Sequence, residues 1–163
     1  MLLVAILLVT LSPVAFAASA QYANTRSFLG ELDTYEIRYT LEGVDSDNNE
    51  IVHIKNKGDY YSYTIHYYFS EDNESVSIRI WNLIDFDSSD MDKVYLAVSQ
   101  LNKTYKWVKF YADEIDNSVT LSADMIVRRN SGTGDIVLEM TLRIASILDD
   151  EGVYNALNRY DTN

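Results

Sequence analysis

The chain has 163 residues, carries a formal net charge of −12 at pH 7 and contains no cysteine. The acidic charge disfavours nucleic acid phosphates and anionic lipid headgroups as partners. The lack of cysteine excludes disulfides, thiolate catalysis and a lipid anchor on cysteine. With 47% hydrophobic residues, the chain can form one domain with an ample core.

Residues 1–20 form an uncharged apolar segment that contains Pro13, the only proline of the chain. The segment is short for a membrane-spanning helix, which needs about 20 apolar residues. Residues 15–17 (Ala-Phe-Ala) and 18–20 (Ala-Ser-Ala) both have the small residues that a signal-peptide cleavage site requires. No basic residue precedes the run, so an uncleaved anchor or a buried helix is the alternative. We expect a cleaved signal peptide over 1–20, a domain over 21–163, and export to the cell envelope, periplasm or medium.

The mature chain begins with a helical pattern and continues with alternating strands. Thr25 is a suitable helix cap, and the apolar members of the helix are Phe28, Leu29 and Leu32. Alternation of apolar and polar residues then predicts a strand over 35–41 and a second over 51–55. The acidic segment between them begins like a calcium loop, but Glu50 stands where glycine is required. We therefore predict a solvated hairpin turn there.

An aromatic strand follows over residues 60–69, and another alternating strand runs over 76–81. The aromatic strand alternates strictly, which predicts one face in the core and the other paired across the sheet. Exposed aromatic faces also bind peptides, sugars and cations. The candidate interaction surface therefore comprises Tyr60, Tyr61, Tyr63, Tyr67, Tyr68 and Trp81.

The stretch 91–125 is the centre of the predicted domain, because the spacing of its apolar residues changes there from that of a helix to the alternation of two strands in a hairpin. We predict a helix over 89–105, started by a Ser89–Asp92 capping box, and strands over 107–112 and 119–125. The helix stripe includes Val94, Val98 and Leu101. We predict that Phe110 and Leu121 face this stripe and hold the domain together.

The segment 135–148 fits both a strand and a helix, because its apolar residues alternate and also form a helical stripe. No breaker occurs from Asp135 to Glu151, which is long for a strand and ordinary for a helix. We predict a helix with Asp135 as its N-cap. The order of periods predicts a single α+β domain in which an antiparallel sheet packs with three main helices. A secreted all-β sandwich is the rival fold.

Three segments resemble the YbjN family, whose members are described as bacterial sensory transduction regulators. They are Leu101-Asn102, Trp107-Val108-Lys109-Phe110-Tyr111 and Val119-x-Leu121-x-Ala123-Asp124. The family pattern is a helix ending in Leu-Asn, an aromatic strand, an acidic turn and a strand ending near Asp. The resemblance implies the type III secretion chaperone-like fold, a twisted antiparallel sheet with helices on one side and at the ends. Family domains are often cytosolic, whereas this chain begins with an export-like segment.

The sequence offers no clear catalytic or metal-binding set. Its two histidines, His53 and His66, are fewer than the three or four ligands that zinc normally takes. No residue is a candidate catalytic nucleophile, because the chain lacks cysteine and any Ser/His/Asp signature. We therefore expect no enzyme, no cofactor and no metal.

Two hypotheses of function stay open. The first is a non-catalytic, exported protein-interaction module of the YbjN type, with a regulatory or chaperone-like role and a protein partner or a second copy as ligand. The second is an extracytoplasmic domain that binds a small ligand or glycan through the tyrosine-rich strand. A protein-binding module should expose a contiguous apolar patch, whereas a ligand binder should have a closed aromatic pocket.

Overall fold

The computed structural model describes residues 20–128 and 132–162. Apart from Ala20, the predicted signal peptide over 1–20 lies outside the described residues. No helix in the described part is long and apolar enough to span a membrane.

The described residues form one six-stranded antiparallel sheet and four α-helices, which confirms the predicted single α+β domain. The strands are β1 (Thr40–Val44), β2 (Asn49–Lys57), β3 (Ser62–Ser70), β4 (Ser75–Asp85), β5 (Lys109–Asp113) and β6 (Ser118–Ile126). The helices are α1 (Ala23–Thr34), α2 (Met91–Thr104), α3 (Thr133–Leu148) and α4 (Glu151–Leu157). Short 3-10 turns precede α2 and follow α4, at Ser88–Asp90 and Asn158–Tyr160.

The strand order is β1-β2-β3-β4-β6-β5. The first four strands form a meander, because each pairs with the next along the chain. Helix α2 then crosses to the far edge, and the β5–β6 hairpin returns so that β6 pairs with β4. Strand β5 is therefore an edge strand, although it comes before β6 in the sequence.

One face of the sheet packs on α1 and α3. The rings of Phe28 in α1 and Tyr67 in β3 lie 4.7 Å apart, centroid to centroid. The Tyr67 hydroxyl also forms a 2.8 Å hydrogen bond with Thr141 Oγ1 in α3. Helices α1 and α3 approach closely at Gly134, where an added Cβ would lie 2.4 Å from the Ser27 carbonyl oxygen. The core therefore lies between this sheet face and the two helices.

Phe110 and Leu121 are directly paired across β5 and β6, and both are buried. They belong to the same core as Val94, Val98 and Leu101 of α2. Lys109, on the other face of β5, is exposed. The predicted assignment of faces in this hairpin is confirmed.

Both edges of the sheet are protected against pairing with another chain. At the β5 edge, Asn102 of α2 bonds both the N–H and the carbonyl of Phe110. Further along this edge, Tyr95 of α2 donates its hydroxyl to Glu114. At the other edge, β1 is only five residues long and has an irregular register at Gly43, whose φ is 111°. Short, bulged or covered edges are the usual protection against edge-to-edge association.

A buried polar cluster joins the start of α1 to two distant segments. Asn24 donates its backbone N–H to Asn73 Oδ1 at 3.0 Å and its Nδ2 to the Asn73 carbonyl at 2.7 Å. Thr133 at the start of α3 donates its hydroxyl to Asn24 Oδ1 at 3.1 Å. Asn73 lies in the β3–β4 turn with φ of 59°, a conformation that asparagine tolerates. These bonds fix α1 between the turn and α3.

The predicted strand over 35–41 is wrong except for its last two residues. Helix α1 ends in a Schellman-like turn, in which the Ile37 N–H donates to the Leu32 carbonyl at 2.8 Å and Glu36 has φ of 55°. The chain becomes a strand only at Thr40. Alternation in the sequence does not reveal a turn whose αL residue is not glycine.

Three predicted caps also differ from the structure. Helix α1 begins at Ala23, so that Thr25 lies buried inside it. The Ser89–Asp92 capping box is replaced by Asp87, whose carboxylate accepts the Ser89 N–H. Helix α3 begins at Thr133, which places Asp135 in its first turn. The predicted helices themselves are confirmed, and α4 is an additional helix that the sequence did not indicate.

Candidate functional site

The sheet face opposite α1 and α3 carries a polar and aromatic surface, which we call the open face. Its cross-strand rows follow from the register, because directly paired residues project to the same side. Arg79 in β4 pairs with Ser122 in β6, which pairs with Lys109 in β5. This row places two cationic side chains on either side of a serine.

A second row of the open face is aromatic. Tyr111 in β5 pairs with Thr120 in β6, and Trp81 of β4 lies on the opposite side of Thr120 as part of the same groove. Trp81 is 49% exposed and Tyr111 is 52% exposed, whereas Thr120 is only 6% exposed. Two aromatic rings therefore stand above a floor of small hydroxyl side chains.

Trp81 lies in an irregular part of β4. The register between β4 and β6 shifts between Ile80 and Ile84, and Asn82 has φ of 51°. Asn82 Oδ1 accepts the Ser118 hydroxyl at 3.0 Å, which holds the irregular segment against β6. Bulges of this kind twist a strand locally and redirect its side chains.

These rows enclose an open groove of about 600 Å³. Arg79 and Ser122 line one end, Trp81, Thr120 and Tyr111 the middle, and Asp113, Glu114 and Ile115 the other end. The Arg79 guanidinium forms an ion pair of 2.8 Å with Asp124. The groove therefore has an ion pair at one end, an aromatic middle and an acidic other end.

His53 and His66 lie side by side on the same open face, farther toward β1. They are paired across β2 and β3, with ring centroids 4.4 Å apart, and His66 is also paired with Arg79. His53 Nε2 lies 3.1 Å from Glu42 Oε2. Burial lowers the pKa of His66, the neighbouring His53 lowers it further, and Glu42 opposes the shift.

Residues 20–128 and 132–162 contain no group of three or more His, Cys, Asp or Glu side chains arranged to hold a metal ion. The segment that begins like a calcium loop forms the β1–β2 turn. There Asp45 Oδ1 accepts the N–H groups of Asp47 and Asn49 at 2.9 and 2.8 Å. These bonds, led by the one from Asn49, lower the pKa of Asp45.

The six residues of the candidate interaction surface do not lie together. Tyr61, Tyr63 and Tyr67 are 7%, 8% and 0% exposed and belong to the core. Tyr60 stacks on Tyr154 of α4, with ring centroids 4.5 Å apart. Only two of the six share the open face: Tyr68 accepts the indole N–H of Trp81 at 3.4 Å. A role in binding for this pair stays a prediction.

The sequence did not single out Arg79, Tyr111, Thr120 and Ser122, the other main parts of the groove. The sequence indicates that Tyr111 and Ser122 lie on the face opposite the core, because in their strands they directly follow the buried Phe110 and Leu121. The pairing of β4 with β6, which brings Arg79 to Ser122, was not readable from local patterns.

Comparison with known proteins identifies the family of this chain. Residues 32–153 match the YbjN family, described as "Putative bacterial sensory transduction regulator". The crystal structure of YbjN from E. coli, described as "a putative transcription regulator", superposes with a TM-score of 0.53 at 11% identity. That match covers 83% of this chain and 93% of the E. coli chain. No curated protein shows significant sequence similarity to this chain. Because the family match spans more than half of the sequence, the chain belongs to the YbjN family.

Proposed function

We propose that this chain is a non-catalytic, exported interaction module of the YbjN type, which binds an extended segment of a protein partner in the groove of the open face. The observation that carries the proposal is the pair of half-exposed rings, Trp81 and Tyr111, above buried Thr120 and Ser122. Aromatic side chains of this kind supply much of the binding energy in protein interfaces.

The shape of the groove favours a protein segment over an enclosed small molecule. The groove is open along the sheet surface, and the tyrosines suggested for a closed pocket are packed in the core. A small ligand or glycan is the second candidate, because about 600 Å³ lies within the range of ligand pockets, about 300–1,000 Å³.

The charges of the groove define the chemistry of the partner. Arg79 and Lys109 lie on the row at one end, and Asp113 and Glu114 line the other end. Because Arg79 is paired with Asp124, a complementary segment would place an acidic side chain near Lys109. It would place a large apolar side chain between Trp81 and Tyr111, and a basic side chain near the carboxylates. Such complementarity fixes orientation and suppresses wrong partners.

The protected edges argue against the other common way in which a sheet binds a peptide. Addition of a strand requires free backbone N–H and carbonyl groups at an edge. Asn102 occupies those groups at Phe110, and β1 is short and irregular. Binding through side chains on the open face is therefore the better supported mode.

A regulatory role through binding agrees with the description of the family as regulators. The partner would meet the chain after export, so we expect it on the outer side of the cytoplasmic membrane.

The test is selection of short peptides from a random display library against the immobilised domain. We expect enriched peptides with an aromatic or large aliphatic residue flanked by opposite charges. Trp81→Ala and Tyr111→Ala should each weaken their binding about tenfold or more, as loss of a central aromatic contact does. Trp107→Ala is the matched control, because Trp107 is also exposed, at 61%, but does not line the groove.

Four results would contradict the proposal. Peptide binding that survives Trp81→Ala places the contact elsewhere, and no enrichment over an empty support removes the peptide ligand. A stable dimer that Trp81→Ala dissociates makes a second copy the occupant. Binding to a glycan array that depends on Trp81 would support the second candidate instead.

A further inference from the structure

A buried carboxylate receives the beginning of the described chain. Glu50 in β2 is 1% exposed. Its Oε1 accepts the Gln21 N–H at 2.7 Å, and its Oε2 accepts the Tyr22 N–H at 2.9 Å. A carboxylate so deeply buried is costly unless it is paired with positive charge as well as hydrogen-bonded.

The charged groups around this chain segment are acidic except for the guanidinium of Arg26, which binds backbone carbonyls there and not Glu50. Arg26 of α1 directs Nη1 to the carbonyls of Ala20 and Gln21, at 3.0 and 2.7 Å. In the described part of the chain, the side-chain ion pairs involve other carboxylates. Burial raises the pKa of Tyr22, and the charges of Glu71, Glu50 and Asp45 raise it further. The site is therefore an acidic one that would accommodate a cation at Gln21.

We propose that the chain is cleaved between Ala20 and Gln21, and that the new α-ammonium group of Gln21 forms an ion pair with Glu50. An export-linked endopeptidase would catalyse the hydrolysis. One water is consumed, the C–N bond between the two residues breaks, a carboxylate forms on Ala20, and the amine formed on Gln21 takes up a proton at neutral pH. The proposal rests on the predicted export signal and is independent of the groove.

The geometry distinguishes the two sites that the sequence offers. Cleavage after Ala17 would leave Gln21 N as a neutral amide, so Glu50 would keep only uncharged donors from the chain start. Cleavage after Ala20 converts the 2.7 Å contact into a charge-assisted bond, which is stronger than a neutral one. Cleavage removes the contact of Arg26 with Ala20, but its contact with the Gln21 carbonyl is retained.

The first test is to express the full chain in an exporting bacterial host and to determine the mass and N-terminal sequence of the exported product. We expect a single product that begins at Gln21 with a free amine. A product that begins at Ala18, or that retains Met1, overturns the proposal. A product whose Gln21 has cyclised with loss of ammonia also overturns it, because the lactam nitrogen carries no charge.

The second test compares the thermal stability of exported parent, Glu50→Gln and Glu74→Gln between about pH 6 and about pH 10. An adjacent carboxylate should raise the pKa of the α-amine above its ordinary value of about 7.7–8.0. The ion pair then stabilises the fold fully at a pH below the ordinary pKa of the amine, and this stabilisation is lost as the pH rises through the raised pKa. Parent and Glu74→Gln, the exposed control, should both show this loss, and Glu50→Gln should not. Parallel profiles for parent and Glu50→Gln would overturn the ion pair. If Glu50→Gln fails to fold, the parent product is acetylated at its α-amine instead, and this change should abolish the loss of stability at high pH.

Discussion

Asn102 near the end of α2 holds the backbone of Phe110 in β5 by two hydrogen bonds. Its Nδ2 donates to the Phe110 carbonyl at 2.9 Å, and its Oδ1 accepts the Phe110 N–H at 2.8 Å. A neighbouring strand would offer the same donor and acceptor, so one amide side chain completes the sheet at this edge. This contact gives a physical role to Asn102 in the Leu101-Asn102 pair.

Asn102→Ala should destabilise the domain by about 1–3 kcal/mol, because it leaves two backbone groups at a partly buried edge without their partner. Urea unfolding of the variant and the parent measures the change. Gln100→Ala, at an exposed position of the same helix, should stay within about 0.5 kcal/mol. Equal stability of Asn102→Ala and the parent would show that water replaces the side chain without cost.

Phe110→Ala and Leu121→Ala should each destabilise the domain by about 2–5 kcal/mol, because each removes a fully buried side chain and leaves a cavity. Domains of this size are stable by about 5–15 kcal/mol, so thermal melts should shift clearly. Lys109→Ala, exposed on the other face of β5, is the matched control and should melt with the parent. A large effect of Lys109→Ala with none of Phe110→Ala would reverse the assignment of faces.

Gly134→Ala and Gly30→Ala should change stability in opposite directions. A Cβ at Gly134 would lie 2.4 Å from the Ser27 carbonyl oxygen, so α1 and α3 would have to move apart. A Cβ at Gly30, in the interior of α1, meets no atom within 4 Å. Alanine there should stabilise by about 0.5–1 kcal/mol through the lower entropy of the unfolded chain. Thermal melts that rank Gly134→Ala above the parent would contradict the close packing of the helices.

Stability should fall as the pH drops below about 6.5, the ordinary pKa of histidine. Burial, followed by the charge of His53, lowers the pKa of His66 in the folded protein. The unfolded chain therefore binds the proton more readily, so this contribution to stability is complete above the unfolded pKa and is lost below it. His66→Gln should flatten the profile of unfolding free energy against pH in this range. His53→Gln should only reduce the slope, because burial is the larger cause.

Several elements were predictable because each buries one face, so that its apolar residues recur at the spacing of a helix or of a strand. Phe110 and Leu121 were placed on the core face from alternation alone, and α3 was identified from its uninterrupted length. Alternation predicts a strand from residue 35, whereas residues 35–37 belong to a Schellman turn with glutamate at its αL position. Helix α4 was missed because seven residues are too few for a helical period to be distinctive.

The groove was less predictable, because its parts meet only through pairing over long distances in the sequence. Trp81 was noticed as an aromatic residue, whereas Tyr111 becomes its neighbour only when β6 inserts between β4 and β5. Tyr61, Tyr63 and Tyr67 were suggested for binding because a tyrosine-rich face suits both a core and a surface. The sheet face that α1 and α3 cover becomes the core, and no local sequence pattern reveals which face that is.

The buried cluster of Asn24, Asn73 and Thr133 has a consequence for the order in which the domain is completed. Helix α1 is synthesised before the other described elements, yet its hydrogen-bond partners lie 49 and 109 residues farther along the chain. Until α3 has left the ribosome, the apolar side of α1, with Phe28, Leu29 and Leu32, has no complete docking surface. The apolar side of α1 is therefore among the last parts of the core to be covered, and an unfinished chain keeps it exposed until α3 is complete.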